Sequence, residues 1–423
     1  MRSGVKRFPF IQAIAAMLLS ICATASQAVA PKLQEGWVGA WASAQILVDP
    51  ANALPPAALK DATLRQLVRV SLGGTRLRVR VSNAFGTTPL TITGAHVARA
   101  ISQRASSIDP ATDRQLTFSG VPSVIIPAGA EYVSDPVSIS VPALTTLAVS
   151  MHYADLPTAE TGHPGSRATS YVASGDQTAA PQLQAATPIE HWYYLSGIDV
   201  QPTTPSAALA VLGDSITDGH GVEANTDRRW TDTLLERLKA GPATRAIAVL
   251  NVGIGGNRVV DDGIGPNALA RFGRDVLERS GVRYLIVLEG VNDLGVLTRD
   301  KPASAEQHRL LVDRILSAYR QIVVRAHERG IKVIGGTIMP YAGSGYYHPN
   351  AVNESDREAI NRWIRARGNF DAVIDFDGLM RDPVQPTRLR KDYDSGDGLH
   401  PSAAGYRAMG EAVPLGLFSG GRR

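Results

Sequence analysis

Cysteine is nearly absent, with Cys22 the only one among 423 residues. A single cysteine excludes a disulfide framework within the chain and a cysteine-rich metal site. Long apolar runs are missing as well: beyond the N-terminus no segment approaches the roughly 20 apolar residues that a membrane-spanning helix requires. Nor does one sign of charge dominate, with 43 Lys and Arg set against 39 Asp and Glu. The closest approach to a basic cluster is the scattered set Arg388, Arg390 and Lys391. That is no electrostatic footprint for nucleic acid, and no nucleic-acid partner is expected. Internal repeats and low-complexity tracts are also lacking.

What stands at the start is ordered as a secretory signal peptide, residues 1–25. Arg2, Lys6 and Arg7 precede an apolar stretch from Phe8 to about Ala23, and small residues at Ala23-Thr24-Ala25 and Ser26-Gln27-Ala28 offer cleavage sites. The pattern predicts a secreted or periplasmic protein. Cys22 falls inside this segment, and a lipid anchor on it is the competing reading; bulky Ile21 stands where lipoprotein signals carry a small residue. The formal net charge of +4 includes the three leading cations and no acid from the first 25 residues, so the mature chain would carry +1. Export without disulfides is no difficulty for a chain long enough to bury a large core unaided.

Composition divides the rest in two. Residues 37–200 are rich in Thr, Ser, Val, Pro and Gly, and stretches such as Arg76-Leu77-Arg78-Val79-Arg80-Val81 and Val137-Ser138-Ile139-Ser140-Val141 alternate polar with apolar. A period of two is that of half-buried strands, and the spacing of the turn signals fits an all-β domain, a sandwich or jelly roll. From residue 206 to 419 apolar strands (207–212, 247–252, 284–288, 332–338, 372–376) alternate with helical spacings (230–239, 268–279, 305–328, 355–367). That alternation predicts an α/β domain with a parallel sheet covered on both faces. Between the two, residues 199–205 hold two prolines and no apolar period, as a linker would.

Within the α/β part, Gly213-Asp214-Ser215 follows directly on the first apolar strand. A serine at the carboxyl end of a central strand projects into the crevice where such sheets bind ligands, and the following helix turns its free N–H groups toward developing negative charge. Taken alone, the tripeptide reads equally well as a turn and helix cap. Three further segments supply what a serine nucleophile needs. Asp397-Gly398-Leu399-His400 offers a base and, three residues before it, an acid to orient it; Asn251-Val252-Gly253-Ile254-Gly255-Gly256-Asn257 ends the second strand with glycines whose N–H groups can face a ligand; Glu289-Gly290-Val291-Asn292-Asp293 ends the third and carries an amide donor. Each alone is an ordinary turn.

Together, the four segments resemble the blocks of the SGNH hydrolases, also called the GDSL esterase/lipase family, in family order. Ile216 stands where the family's four-letter name has leucine. The resemblance implies a flavodoxin-like three-layer SGNH hydrolase domain preceded by the β-rich domain. It also implies Ser215 as nucleophile, His400 as general base then acid, and Asp397 as its orienter. The N–H groups of Ser215 and Gly256, with the Asn292 amide, would form the oxyanion hole; Gly255 is the adjacent alternative to Gly256. Such chemistry needs no metal and no cofactor.

Tyr341, Tyr346 and Tyr347 follow the fourth strand and are candidate substrate-binding residues, since flat aromatic faces suit sugar rings; they suit a protein core equally. Residues 383–394 could flank the pocket. Trp37, Trp41 and Trp192 read as core or interface anchors. Asp227-Arg228-Arg229-Trp230 and the exported, β-rich layout are similar to secreted family members acting on acetylated polysaccharides such as xylan. The expected partner is thus a small-molecule or polysaccharide ester. Three functions stay open: a carbohydrate O-acetyl esterase, a general carboxylesterase or lipase, and a non-catalytic carbohydrate-binding protein.

Overall fold

The computed structural model describes Met1, Gly4 and residues 36–418, with residues 56, 57, 59 and 158 left out. The predicted signal peptide and Cys22 therefore lie outside the described residues, save for Met1 and Gly4. Residues from Gly36 onward form one compact unit.

The first half of that unit is built from antiparallel strands. One sheet runs in the order Val38–Ala42, Leu195–Gln201, Gly74–Ser82, Glu131–Val133, with Val137–Val141 also paired to Gly74–Ser82. A larger sheet centres on Lys60–Arg69, Thr146–Asp155 and Leu90–Arg99. The alternation read from residues 76–81 is realised as Leu77, Val79 and Val81 buried, with Arg76, Arg78 and Arg80 on the other face. Arg78 and Arg80 converge there on Asp199, at 2.9 and 3.0 Å. Trp41 and Trp192 meet edge to face, centroids 4.8 Å apart, as buried anchors.

The second half holds a five-stranded parallel sheet in the order Ile247–Gly253, Ala207–Gly213, Val282–Leu288, Lys332–Gly336, Ala372–Ile374. This is the flavodoxin-like order, in which the strand direction of travel reverses at the first strand and leaves a crevice at its carboxyl end. Helices Trp230–Ala240 and Ala403–Ala412 pack together, and Ala305–His327 packs on Ala268–Phe272 and Ala351–Arg365. Strands Ala207–Gly213, Ile247–Gly253 and Val282–Leu288 are apolar save for Asn251 and Arg283, because both faces of the sheet are covered.

Local chemistry explains where the elements depart from the sequence pattern. The predicted helix 268–279 is an α-turn, Ala268–Phe272, continued as a π-helical turn, Gly273–Leu277, which carries the ionic residues Arg274 and Asp275. The fifth strand stops at Ile374 because the Asp375 side chain accepts from Gly378 N–H and starts the helix Phe376–Met380. An unpredicted helix, Val291–Arg299, begins directly after the third strand, with Gly290 at φ 116° making the corner.

The halves are joined by specific bonds. The Val249 N–H donates to Ser71 Oγ at 3.0 Å, Gly39 N–H to Ser280 O at 2.8 Å, and Arg274 Nη2 to Gln45 O at 2.9 Å. Strand Val38–Ala42 approaches the parallel sheet closely enough that a Cβ on Gly39 would sit 2.9 Å from the Leu250 side chain.

Candidate active site

Sheet register brings the singled-out segments level. Gly213 lies opposite Gly253 on one side and Leu288 on the other, so the chain after each strand leaves the sheet at one height. Asp214 then caps the short helix Ser215–Asp218: its side chain accepts from Ile216 N–H at 2.9 Å and its carbonyl from Thr217 and Asp218 N–H. Ser215 occupies the first helical position, where the N–H has no acceptor within the helix. Gly213 is required sterically, since a Cβ would lie 2.3 Å from Thr217 Oγ1.

Ser215 Oγ is 2.8 Å from His400 Nε2, and His400 Nδ1 is 2.7 Å from Asp397 Oδ2. The other Asp397 oxygen accepts from the backbone N–H groups of Leu399 and His400, at 2.9 and 2.8 Å. Partial burial pushes this carboxyl up, but the His400 N–H, the imidazole and the Leu399 N–H outweigh it and hold the group at about 2. Asp397 is therefore a fixed anion that demands a proton on Nδ1, leaving Nε2 to accept from the serine. The ring of His220 stacks on that of His400, centroids 4.0 Å apart. Burial, then the neighbouring His400 and Arg167 charges, lower the His220 pKa.

Asn292 stands in the first turn of helix Val291–Arg299. Its Nδ2 donates to Asn257 O at 2.7 Å, and its Oδ1 accepts from the Tyr347 hydroxyl at 2.6 Å. Because a carbonyl can only accept, the amide orientation is fixed and one N–H remains for a ligand. Gly295, one turn on, makes room for Tyr347: a Cβ there would meet the ring at 2.4 Å. Gly256 has φ +70°, and it lines the same cavity as Ser215, Asn292 and His400.

Beneath these groups lies a buried ionic layer that sequence reasoning missed. Arg271 is 2 % exposed, and its guanidinium donates to Gly213 O (3.0 Å), Val252 O (2.6 Å), Asn257 Oδ1 (2.9 Å) and Asp275 (3.1 Å). One side chain thus ties together the ends of two strands and the loop whose carbonyl holds Asn292. Asp293 accepts from Val259 and Val260 N–H, at 2.8 and 3.1 Å. Desolvation pushes both Asp214 and Asp293 up to about 7, and Glu289 well above its usual range. Shifted upward in this way, the three acids carry less negative charge near neutrality than ordinary carboxylates beneath Ser215 would.

The cavity above Ser215 has a volume of about 560 Å³. Part of its wall comes from the β half, through Ile46, Asn52, His163 and Arg167. His163 Nε2 lies 2.9 Å from Asp218 and its Nδ1 2.7 Å from Ala44 O, locking that half to the Ser215 helix. No sequence signal marked these residues, since a lone histidine in a β-rich stretch has no partner within reach along the chain. The three tyrosines separate. Tyr346, 60 % exposed, and Tyr347 line the cavity, whereas Tyr341 is 1 % exposed, does not line it, and is corrected to a core residue packed edge to face against Tyr347. Residues 383–394 contribute nothing to its lining.

An α/β domain with a serine, histidine and aspartate in hydrogen-bonded series at the crevice of its sheet belongs to the class of hydrolase-type domains. Residues 211–408 match the family model of the GDSL-like lipase/acylhydrolase family. An uncharacterized lipoprotein, YqeF of Bacillus subtilis, is 33% identical over 148 residues, which are 33% of this chain and 52% of the relative. The chain thus spans about half the length of that curated relative. Among solved structures, a GDSL-like lipase from Bacteroides thetaiotaomicron is 20% identical, covering 50% of this chain and 87% of its own, with a TM-score of 0.37. A catalytic mutant of the acetylxylan esterase Axe2 from Geobacillus stearothermophilus is 20% identical, covering 52% and 97%, with a TM-score of 0.38. Among the described residues, no helix is long and apolar enough to cross a membrane.

Proposed function

We propose that the chain is an exported serine ester hydrolase that removes O-acetyl or other short acyl groups from carbohydrate. The observation that carries this reading is the series Ser215 Oγ, His400 Nε2, His400 Nδ1, Asp397, at 2.8 and 2.7 Å, opening on one cavity with Asn292 and Gly256. Ser215 Oγ attacks the ester carbonyl as His400 takes its proton. The tetrahedral oxyanion accepts from the Ser215 and Gly256 N–H groups and Asn292 Nδ2. His400 then gives its proton to the departing alcohol, and a water, deprotonated by the same ring, releases the acid and restores Ser215. Asp397 keeps the ring in register and balances its charge. None of these steps calls on a metal or cofactor.

Support for a carbohydrate rests on Tyr346, which presents its ring at the cavity mouth over Arg299, 5.3 Å from the guanidinium. Export is supported by the N-terminal pattern at Arg2, Lys6 and Arg7 and the apolar stretch after them. The test is covalent labelling by a fluorophosphonate, together with acetate release from acetylated xylan set against aryl esters of rising chain length. Labelling at Ser215 is expected, lost in Ser215→Ala, with acetyl preferred over longer acyl groups. A folded sample that refuses the label would remove the catalytic reading; faster turnover of long acyl chains would move the substrate to lipid esters.

A further inference from the structure

The cavity lining carries three arginines, Arg167, Arg258 and Arg299, and two carboxylates, Asp49 and Asp218. Both carboxylates are occupied. Asp218 is bonded to His163 Nε2, and Asp49 accepts from Ala51 N–H and Asn52 Nδ2 in its own turn, at 2.9 and 2.6 Å. Arg299 is neutralised by Asp300 through two bonds of 3.0 Å. Arg258 folds back on the main-chain carbonyl of Asp262. Arg167, like Arg258, makes no ion pair among the described residues, and it differs from both in that its Nε is buried without an acceptor.

The backbone also singles it out. Arg167 sits at φ +50°, the left-handed region that costs a non-glycine residue about 1–2 kcal/mol. It is kept there by neighbours: Asn225 N–H donates to its carbonyl at 2.9 Å, and Arg229 donates both to Ser166 O at 2.5 Å and to Asp218 O at 2.9 Å. The same arginine therefore fastens the 166–167 loop to the Ser215 helix. A strained residue with a buried, unsatisfied guanidinium donor is doubly costly. Such costs persist where a ligand repays them.

Position indicates which part of a substrate that is. Arg167 lies near enough to His220 for its charge to act on that ring, and His220 is stacked on His400. The proton leaving His400 goes to the alcohol oxygen, so groups beside the histidines face the alcohol portion rather than the acyl chain. We propose that Arg167 is a specificity residue for an anionic group, carboxylate or phosphate, borne on the alcohol portion of the ester. A guanidinium fork suits either anion, and it would do so with no other cation competing for it on the same turn. This proposal rests on the ester-hydrolase reading above.

Matched acetyl esters test it: 3-acetoxybenzoate, 3-acetoxyphenyl phosphate and the neutral 3-acetoxybenzamide. The expected result is a preference in kcat/KM of about tenfold or more for one or both anionic esters over the amide, weakening as ionic strength rises. The larger of the two anionic rates tells carboxylate from phosphate. Arg167→Met should bring the ratio to near one, and Arg167→Lys should restore part of it, with unchanged thermal unfolding showing that each variant is folded. Equal kcat/KM values in the unmodified protein, or a uniform fall in all three with Arg167→Met, would overturn the proposal. If no ester is turned over, the hydrolase reading fails separately. Binding of the product alcohols 3-hydroxybenzoate and 3-hydroxyphenyl phosphate, measured by calorimetry, then decides. Binding of either that weakens about tenfold in Arg167→Met supports the anion site, and absence of binding by both removes it.

Discussion

In the α/β half, Ser215, Gly256 and Asn292 are set at the cavity by backbone register. Gly213, Gly253 and Leu288 lie side by side, so Ser215, Gly256 and Asn292 emerge within one or two turns of a fixed line, and Arg271 clamps that line from below. In the β half, the cavity residues Ile46, Asn52, His163 and Arg167 come from loops and from the paired short strands Ile46–Leu47 and Thr161–His163, none of which shares register with the parallel sheet. They are held by individual side-chain bonds, as His163 is to Asp218. A scaffold that fixes register suits bond-making steps, which tolerate little displacement, whereas walls held one bond at a time can vary in shape and charge without disturbing them. The comparison assigns chemistry to one half and substrate choice to the other.

The largest test falls on the chemical half. Asn292→Ala should lower kcat by roughly 10²–10³-fold, about 3–4 kcal/mol of barrier, with little change in KM and a cooperative thermal unfolding transition retained. A fall confined to KM would move Asn292 from the oxyanion to ground-state binding and blur the division. On the other side, His163→Ala leaves Asp218 buried without its partner. A loss of about 3 kcal/mol of stability is expected, measured by denaturant unfolding, together with a rise in KM that exceeds any loss in kcat. Should kcat fall more than KM rises, the β half takes part in the chemistry and the contrast breaks.

The two halves also differ in what their sequences disclose. Strands Ala207–Gly213, Ile247–Gly253 and Val282–Leu288 were readable because strands covered on both faces are near-continuous apolar runs, broken here only by Asn251 and Arg283, and the four motif segments because strand ends and turns demand Gly, Asn and Asp. Helix Val291–Arg299 was hidden: its first turn, Val291-Asn292-Asp293, reads as a continuation of the Gly290 corner, and the helix shows itself only through Asp293 bonding Val259 and Val260. Arg271 was hidden because, apart from Asp275 four residues on, its partners are main-chain carbonyls and a side chain outside its own helix. Tyr341 and Tyr347 stand six residues apart in one loop, and only the loop's path decides that one faces the core and the other Asn292.

The buried acids offer a pH test of the chemical half. Asp214 has its folded pKa raised from 3.8 to about 7, so the unfolded chain ionises first as pH rises. Stability contributed by the protonated form is full below about pH 4 and declines through the window up to about 7. Asp214→Asn keeps an acceptor for the Ile216 N–H and removes the titration. The variant should match the parent near pH 4 and exceed it by up to about 4 kcal/mol near pH 8, since each of the roughly three pKa units of the rise from 3.8 to about 7 is worth about 1.4 kcal/mol. Parallel stability curves for the two proteins from pH 4 to 8 would show that Asp214 is ionised throughout in the fold.

The smallest expected effect probes the one residue that links the variable wall to the fixed line. Tyr347 lines the cavity, yet its hydroxyl donates to Asn292 Oδ1 at 2.6 Å and so helps aim the amide. Tyr347→Phe keeps the ring in the space left by Gly295 and removes only that bond. Because Asn257 O still fixes Nδ2, the amide loosens without turning over, and the loss is that of one hydrogen bond, about 1 kcal/mol or roughly fivefold in kcat. KM for a neutral ester should stay within twofold, because the ring surface is unchanged. In a double variant with Asn292→Ala, the Tyr347→Phe effect should vanish, since there is no amide left to aim; full additivity would instead make Tyr347 a substrate contact in its own right.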